Sequence, residues 1–189
     1  MQKPILALLF LLPLLGIAKR PNIIFILTDD QGYGDVNAHG HPYLKTPHTN
    51  KLREESVSFD NFYVSPSCSP TRAALLSGMH EFRTGVTHTI PPRQQLPEKV
   101  VCFPELLKAN GYRTGFVGKW HLGNEPGPDG QGFDWCSTNQ AGPLKHFDTT
   151  FIRNRKRMET KGYREDVFFD ETMTFIEEAG DEPFFCYLC

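Results

Sequence analysis

Residues 22–28 form the stretch that most constrains how this chain can fold. They are a continuous apolar run of β-branched and aromatic residues, which predicts a strand buried on both faces, as in a parallel sheet. Residues 112–118 form a second such run, after a helical pattern over residues 103–110 that ends at Gly111. Helix, turn and strand in this order are half of a βαβ unit. The sequence therefore predicts an α/β fold: a mostly parallel sheet with helices on both faces.

Other segments have weaker patterns. The sequence predicts a short helix over residues 48–55 after Thr46-Pro47, a strand over 57–64, an amphipathic helix over 163–179 and a strand over 183–189. Residues 153–161 are a cationic run, interpreted either as a patch for sulfated polymers or as a solvated face.

Composition narrows the functional class. The 189 residues suffice for about one domain, and 39% hydrophobic with 12% aromatic residues indicate a globular core. The formal net charge is −2 and the Lys and Arg residues are dispersed. Without a basic face, nucleic acid is not expected as a partner.

Residues 1–18 have the pattern of a secretory signal. Lys3 supplies the positive start, residues 5–15 the apolar centre and residues 16–18 a small-x-small cleavage site. The alternative is a membrane anchor, but the apolar run is shorter than the ~18 residues that a spanning helix needs. We therefore expect a mature chain that begins at Lys19, is secreted or periplasmic, and has no membrane contact after cleavage.

The chain has an odd number of cysteines, namely Cys68, Cys102, Cys136, Cys186 and Cys189. At least one must be unpaired in an exported protein, and Cys68 is the natural candidate. Cys186 and Cys189 are three apart on a predicted strand and face opposite sides, which argues against a bond between them. A bond between Cys102 and Cys136 stays open.

Cys68 is the first of five consecutive residues, 68–72, whose side chains and backbone suit a reactive site. Pro70 suits the first position of a helix, so Ser69 is the predicted N-cap and Cys68 lies just ahead of the helix N-terminus. Free backbone N–H groups and the helix dipole favour an anion there. Arg72, in the first turn, is placed to point at the same anion. For an isolated cysteine, a buried structural role is the more common alternative.

Asp29 and Asp30 directly follow the first predicted strand. Open α/β sheets place their ligand crevice at the carboxyl ends of strands, and carboxylates there suit a hard divalent cation. Gly32 and Gly34 allow a tight backbone turn around it. The alternative is a turn followed by a helix cap.

Lys119 and His121 follow the second predicted strand. Two residues apart in extended chain, they project to the same side and are placed to flank an anion. Taken singly, Lys119 would be a surface lysine and His121 a satisfied polar side chain.

Two motifs in the chain resemble the signatures of one family. Residues 68–72 match C-x-P-x-R and continue into Ala-Ala-Leu-Leu-Ser-Gly, and residues 118–123 read Gly-Lys-Trp-His-Leu-Gly. Together they resemble the sulfatases, a branch of the alkaline-phosphatase-like hydrolases, from Pro21 to the last residue. The resemblance implies that residues 19–189 are the amino-terminal part of a sulfatase catalytic domain, with the fold incomplete at its carboxyl end.

The resemblance also implies a reaction. A separate maturation enzyme would oxidise Cys68 to formylglycine. One oxygen of its hydrate would attack the sulfur of an aryl or carbohydrate sulfate ester and expel the alcohol, and the aldehyde would then reform as sulfate leaves. Arg72 would hold the hydrate, Lys119 would bind the sulfate, and His121 would hydrogen-bond the hydrate and help in proton transfer. Thr71 stands where the commonest form of the signature has Ser, a change we expect maturation to tolerate.

The resemblance further implies a calcium ion bound by Asp29, Asp30 and residue 68. Calcium takes 6 to 8 oxygen ligands, and the later ligands of the family have no counterpart here. The expectation is therefore an amino-terminal fragment of a longer sulfatase. Two alternatives stay open: a phosphate or phosphonate ester hydrolase of the same superfamily, and a non-catalytic remnant.

Overall fold

The computed structural model describes residues 19–138 and 145–189. The predicted signal segment, residues 1–18, lies outside the described residues. Within the described ranges, no helix has both the length and the apolar character needed to cross a membrane.

The fold consists of one sheet with helices packed against it. The strands are β1 (Ile23–Ile26), β2 (Arg113–Gly118), β3 (Trp135–Thr138), β4 (Thr150–Arg153), β5 (Lys156–Glu159) and β6 (Phe184–Leu188). The helices are α1 (Pro47–Glu54), α2 (Cys68–Ser77), α3 (Glu81–Thr84), α4 (Phe103–Ala109) and α5 (Arg164–Ala179). Single 3-10 turns occupy Tyr33–Asp35, Asn37–His39 and Pro128–Gln131.

The strand order in the sheet is β1-β6-β2-β3-β4-β5. The first four strands of this order are parallel, and β4 and β5 add an antiparallel hairpin at one side. Because β1 and β2 both run parallel to β6, which lies between them, their carboxyl ends meet at the same edge. The residues that follow these two strands are thereby brought together. The predicted α/β class with a mostly parallel sheet is confirmed.

Helices pack on both faces of the sheet at its central strands, as predicted. Along β6, Phe185 and Tyr187 belong to one buried cluster, which also contains Leu76 of α2. Cys186 and Leu188 belong to a second cluster on the opposite face, with residues of α5. This alternation places Cys186 and Cys189 on opposite faces, because Cys189 packs against the first cluster. All five cysteines are free thiols, Cys102 and Cys136 included.

Gly115 of β2 allows α5 to pack closely on the sheet. A Cβ atom at this position would lie 2.6 Å from the ring of Phe175. We expect Gly115→Ala to destabilise the fold by about 2 kcal/mol, because overpacking a filled core forces neighbours out of their rotamers. Urea unfolding measures this, with Gly34→Ala as the control, since a Cβ there meets nothing within 4 Å. Equal stabilities of the two variants would contradict the prediction.

Two predictions about strands were wrong. The first strand is not buried on both faces: Ile24 and Ile26 are 52% and 58% exposed, because no described element covers this face of β1. Residues 57–64 form no strand, and their large apolar side chains are exposed. High β-propensity did not suffice, because no described strand pairs with this segment.

The cationic run at residues 153–161 begins at the last residue of β4 and contains the turn and β5 of a hairpin that the sequence did not predict. Arg153 forms an ion pair with the buried carboxylate of Glu171, and Arg155 forms one with Asp129. These two arginines therefore have structural partners within the fold.

Candidate functional site

Helix α2 begins two residues earlier than the sequence predicted. Its N-cap is Ser67, with extended backbone, so Cys68 is the first helical residue and the predicted cap Ser69 lies inside the helix. Pro70 is then the third helical residue, which is tolerated because the N–H groups of the first turn have no intrahelical acceptor. The helix ends at Gly78, whose φ of 65° is left-handed. Cys68 and Arg72 are thus one turn apart.

Asp29 is the centre of a charge cluster. Its Oδ1 accepts a hydrogen bond from Arg72 Nη2 at 3.2 Å, and its Oδ2 lies 2.9 Å from Lys119 Nζ. The Arg72 side chain is 3% exposed, whereas that of Lys119 is 30% exposed. One cation is therefore enclosed by the fold and the other opens to solvent.

The charge cluster fixes the ionisation of Asp29. Partial burial raises the pKa of this carboxyl, but the hydrogen bond and charge of Lys119, together with Arg72, outweigh burial and leave the pKa below its ordinary value. Asp29 is therefore a carboxylate at neutral pH. Arg72 additionally donates from Nη1 to the backbone oxygen of Lys119, at 2.5 Å, and to Cys189 Sγ, at 3.1 Å.

Cys68 and His121 form a second contact within the site. Cys68 Sγ lies 3.1 Å from His121 Nδ1, and His121 Nε2 lies 3.1 Å from the backbone oxygen of Thr89. Burial lowers the pKa of His121, and the positive charges of Lys119 and Arg72 lower it further. The imidazole is thereby biased towards its neutral form, which can accept a proton.

The structure brings most of the predicted site residues together in two connected groups. Arg72 and Lys119 meet on Asp29, and Cys68 meets His121. Helix α2 joins the groups through Cys68 and Arg72, and residues 119–121 join them again. The sequence predicted extended chain from Lys119 to His121, and this was wrong, because the φ of His121 is 55°. The two side chains nevertheless both reach the site.

Sequence reasoning missed three participants. Ser69 Oγ donates to the backbone oxygen of His121, Thr89 offers its carbonyl to the imidazole, and Cys189 Sγ lies against Arg72. Two of these contacts use backbone oxygens, which every residue carries. No sequence signal could therefore have shown these two contacts.

The residues fit part of a calcium shell. Asp29 and Asp30 provide hard carboxylate oxygens at the carboxyl end of β1, and two carboxylates can supply at most about four of the 6 to 8 oxygens that calcium takes. Nowhere in residues 19–138 and 145–189 do three His, Cys, Asp or Glu side chains cluster as a metal site would require. Asp30 has an exposed side chain and a φ of 57°. The ligand set of Asp29, Asp30 and Cys68 stays a prediction.

Comparison with known proteins identifies the family. The sequence model of the family described as Sulfatase matches residues 21–189. This chain belongs to the sulfatase family. It is 35% identical over 176 residues to the N-acetylglucosamine-6-O-sulfatase of Bacteroides thetaiotaomicron, covering 90% of this chain and 30% of that sulfatase. It is 33% identical over 210 residues to the human N-acetylgalactosamine-6-sulfatase, covering 91% and 39%.

A solved structure shows the same sulfatase fold. A protein in complex with its substrate D-glucosamine-2-N,6-O-disulfate superposes with a TM-score of 0.80 at 33% identity, covering 89% of this chain and 34% of that one. The chain thus spans between 30% and 39% of the length of the two curated sulfatases above.

Proposed function

We propose that this sulfatase chain carries the nucleophile and the anion-binding part of a site that hydrolyses sulfate esters of sugars. The observation that supports this most strongly is the meeting of Arg72 and Lys119 on Asp29, one helical turn from Cys68. A sulfate ester is an anion, and an oxygen nucleophile approaches it only where preorganised cations offset the charge.

The two cations have different roles in this proposal. Lys119 is partly exposed and has three rotatable donors, so it binds the non-bridging oxygens of the incoming sulfate. Arg72 is buried and fixed by Asp29 and the backbone of Lys119, so it orients the group at residue 68. Asp29 holds both cations in place before substrate arrives.

Cys68 is proposed as the precursor of formylglycine, and its Sγ marks the place of the oxygen that the mature residue would carry. As formylglycine, residue 68 would offer a hydrated aldehyde as the oxygen nucleophile. His121 accepts a proton from that oxygen through Nδ1, the nitrogen that lies 3.1 Å from Cys68 Sγ. The lowered pKa of His121 keeps this nitrogen available near neutral pH.

Calcium is proposed as the metal, held in part by Asp29 and Asp30. When bound, it would supply Lewis-acid stabilisation of negative charge at residue 68. The remaining ligands are outside the set that the described residues provide.

The proposed substrate class comes from the relatives. Both curated relatives described above are named for 6-sulfated N-acetylhexosamines, so we propose a sulfated amino sugar. The predicted signal segment at residues 1–18 agrees with a secreted or periplasmic enzyme that meets such glycans outside the cytoplasm. A formylglycine-generating maturation enzyme is the proposed protein partner.

Peptide mass spectrometry of the chain from its own host tests the proposal. The peptide that contains Cys68 should show the loss of mass that accompanies conversion of a thiol to an aldehyde. Cys102, buried in the same fold, is the internal control and should remain a thiol. An unmodified thiol at Cys68 in every molecule would overturn the catalytic proposal and favour a non-catalytic remnant.

The reaction itself needs a second measurement. The mature chain, supplied with calcium, should release inorganic sulfate from N-acetylglucosamine-6-sulfate faster than it releases phosphate from the matching 6-phosphate. Faster phosphate release would favour the alternative, a phosphate or phosphonate ester hydrolase of the same superfamily.

A further inference from the structure

His121 is held in an uncommon backbone conformation. Its φ of 55° is left-handed, which a residue with a side chain rarely adopts unless its surroundings maintain it. Trp120, directly before it, is buried in the first cluster and anchors the segment from one side. The backbone of His121 therefore needs further contacts to keep this conformation, and these contacts also fix the imidazole.

Ser69 provides one of these contacts. Its side chain is completely buried in the first turn of α2, and Oγ donates to the backbone oxygen of His121 at 2.6 Å. Arg72, in the same helix, donates to the backbone oxygen of Lys119. Two side chains of α2 thus fasten the segment 119–121 to the helix that carries Cys68.

The carbonyl of Thr89 provides the other contact. A carbonyl oxygen can only accept, so His121 Nε2, 3.1 Å away, must carry a proton. In the neutral imidazole the lone pair is then on Nδ1, which faces Cys68 Sγ at 3.1 Å. Nδ1 is the nitrogen that must accept a proton from the group at residue 68.

We propose that Ser69 and the backbone carbonyl of Thr89 are positioning groups that fix His121 as the Nε2-protonated tautomer, with the Nδ1 lone pair aimed at residue 68. Ser69 fixes the backbone of His121 and Thr89 fixes its ring. The functional meaning of this arrangement rests on the proposed sulfatase reaction. The arrangement itself is a property of the folded chain and can be measured without turnover.

Long-range nitrogen–proton NMR of the chain labelled with ¹⁵N-histidine tests the tautomer directly. The seven histidines give separate ring patterns, and loss of one pattern in His121→Gln assigns His121. We expect the wild-type His121 pattern to be that of the Nε2-protonated neutral ring. An Nδ1-protonated ring, or rapid exchange between tautomers, would overturn the proposal.

Ser69→Ala tests the backbone contact. Without the hydroxyl, we expect the His121 pattern to broaden into a mixture of tautomers. Ser77→Ala is the matched control, because Ser77 Oγ donates to Ala73 O at 2.6 Å within the same helix and does not contact His121. Ser69→Cys, similar in size with a weaker donor, should change the pattern in the same direction if the alanine variant does not fold. An unchanged His121 pattern in the folded Ser69 variants would contradict a positioning role for Ser69.

Turnover gives an independent readout. In a mature preparation that releases sulfate, Ser69→Ala should lower kcat by about 10- to 100-fold with little change in KM, because misplacing a reacting group costs rate and leaves sulfate binding at Lys119 intact. A preparation that releases no sulfate contradicts the proposed function, whereas the NMR pattern decides the tautomer separately.

Discussion

Lys119→Met should lower the rate of sulfate release by about 100- to 1000-fold, the usual cost of removing one preorganised group that stabilises developing charge. The Lys119 ammonium is partly open to solvent and lies against Asp29 at 2.9 Å. Its removal takes away the cation that the incoming sulfate would meet. The measurement is kcat/KM for a sulfated amino sugar with the formylglycine-containing chain and calcium.

The same substitution should hardly change stability. Asp29 keeps its contact with Arg72, and a partly exposed ion pair contributes about 0–1 kcal/mol. Lys51→Met is the matched control, since Lys51 forms an exposed pair with Glu55 on α1, away from the site. If Lys119→Met and Lys51→Met retained equal rates, Lys119 would have no role in sulfate binding.

Arg72→Met, unlike Lys119→Met, should also lower stability, with a loss of about 3 kcal/mol in the free energy of unfolding. Its guanidinium is almost fully buried and supports both Asp29 and the backbone oxygen of Lys119. Removing one partner of a buried, hydrogen-bonded charge pair leaves the others without compensation. Asp29 is 38% exposed and retains Lys119, which keeps the expected loss at the lower end of the range for buried pairs.

Chemical denaturation of the two arginine variants Arg72→Met and Arg113→Met provides the comparison. Arg113 pairs with Glu178 at 3.1 Å, but the carboxylate is 51% exposed, so its loss should cost about 0–1 kcal/mol. A destabilisation of Arg72→Met no greater than that of Arg113→Met would contradict a structural role for the buried cation.

The sequence predicted the parts of the fold that have strong periodicity. The strands that became β2 and β6 and the helices that became α4 and α5 lie within about two residues of the predicted bounds, because each combines a continuous or amphipathic apolar pattern with a clear stop. Strands β3, β4 and β5 were missed. They are four residues long each, too short for a periodic pattern to stand out.

Failures at the first strand and at residues 57–64 have one physical cause. Apolar, β-branched sequence favours an extended, buried chain, but burial depends on which neighbours the rest of the fold supplies. Ile24 is exposed because no described strand or helix covers its face. A local pattern does not contain that information.

Most of the site could be predicted because its side chains come from two short motifs and one strand end. The sheet topology determines that these side chains meet, because the parallel strands on either side of β6 bring Asp29 and Lys119 to one edge. The contacts of Ser69 and Thr89 could not be predicted. They depend on the left-handed turn at His121, and sequence favoured an extended chain there.

The edge strand β1 also determines how this protein must be handled in solution. No described strand pairs with the outer side of β1, and Ile24 and Ile26 are exposed, so this edge can pair with strands of other molecules. Association of this kind increases with protein concentration, whereas the ion pairs of Asp29 with Arg72 and Lys119 lie within one molecule and do not depend on it. Dilute samples with an added solubilising agent therefore suit measurements of stability. If the yield of soluble protein falls when a sample is concentrated, this would report on the edge of the sheet, not on the site.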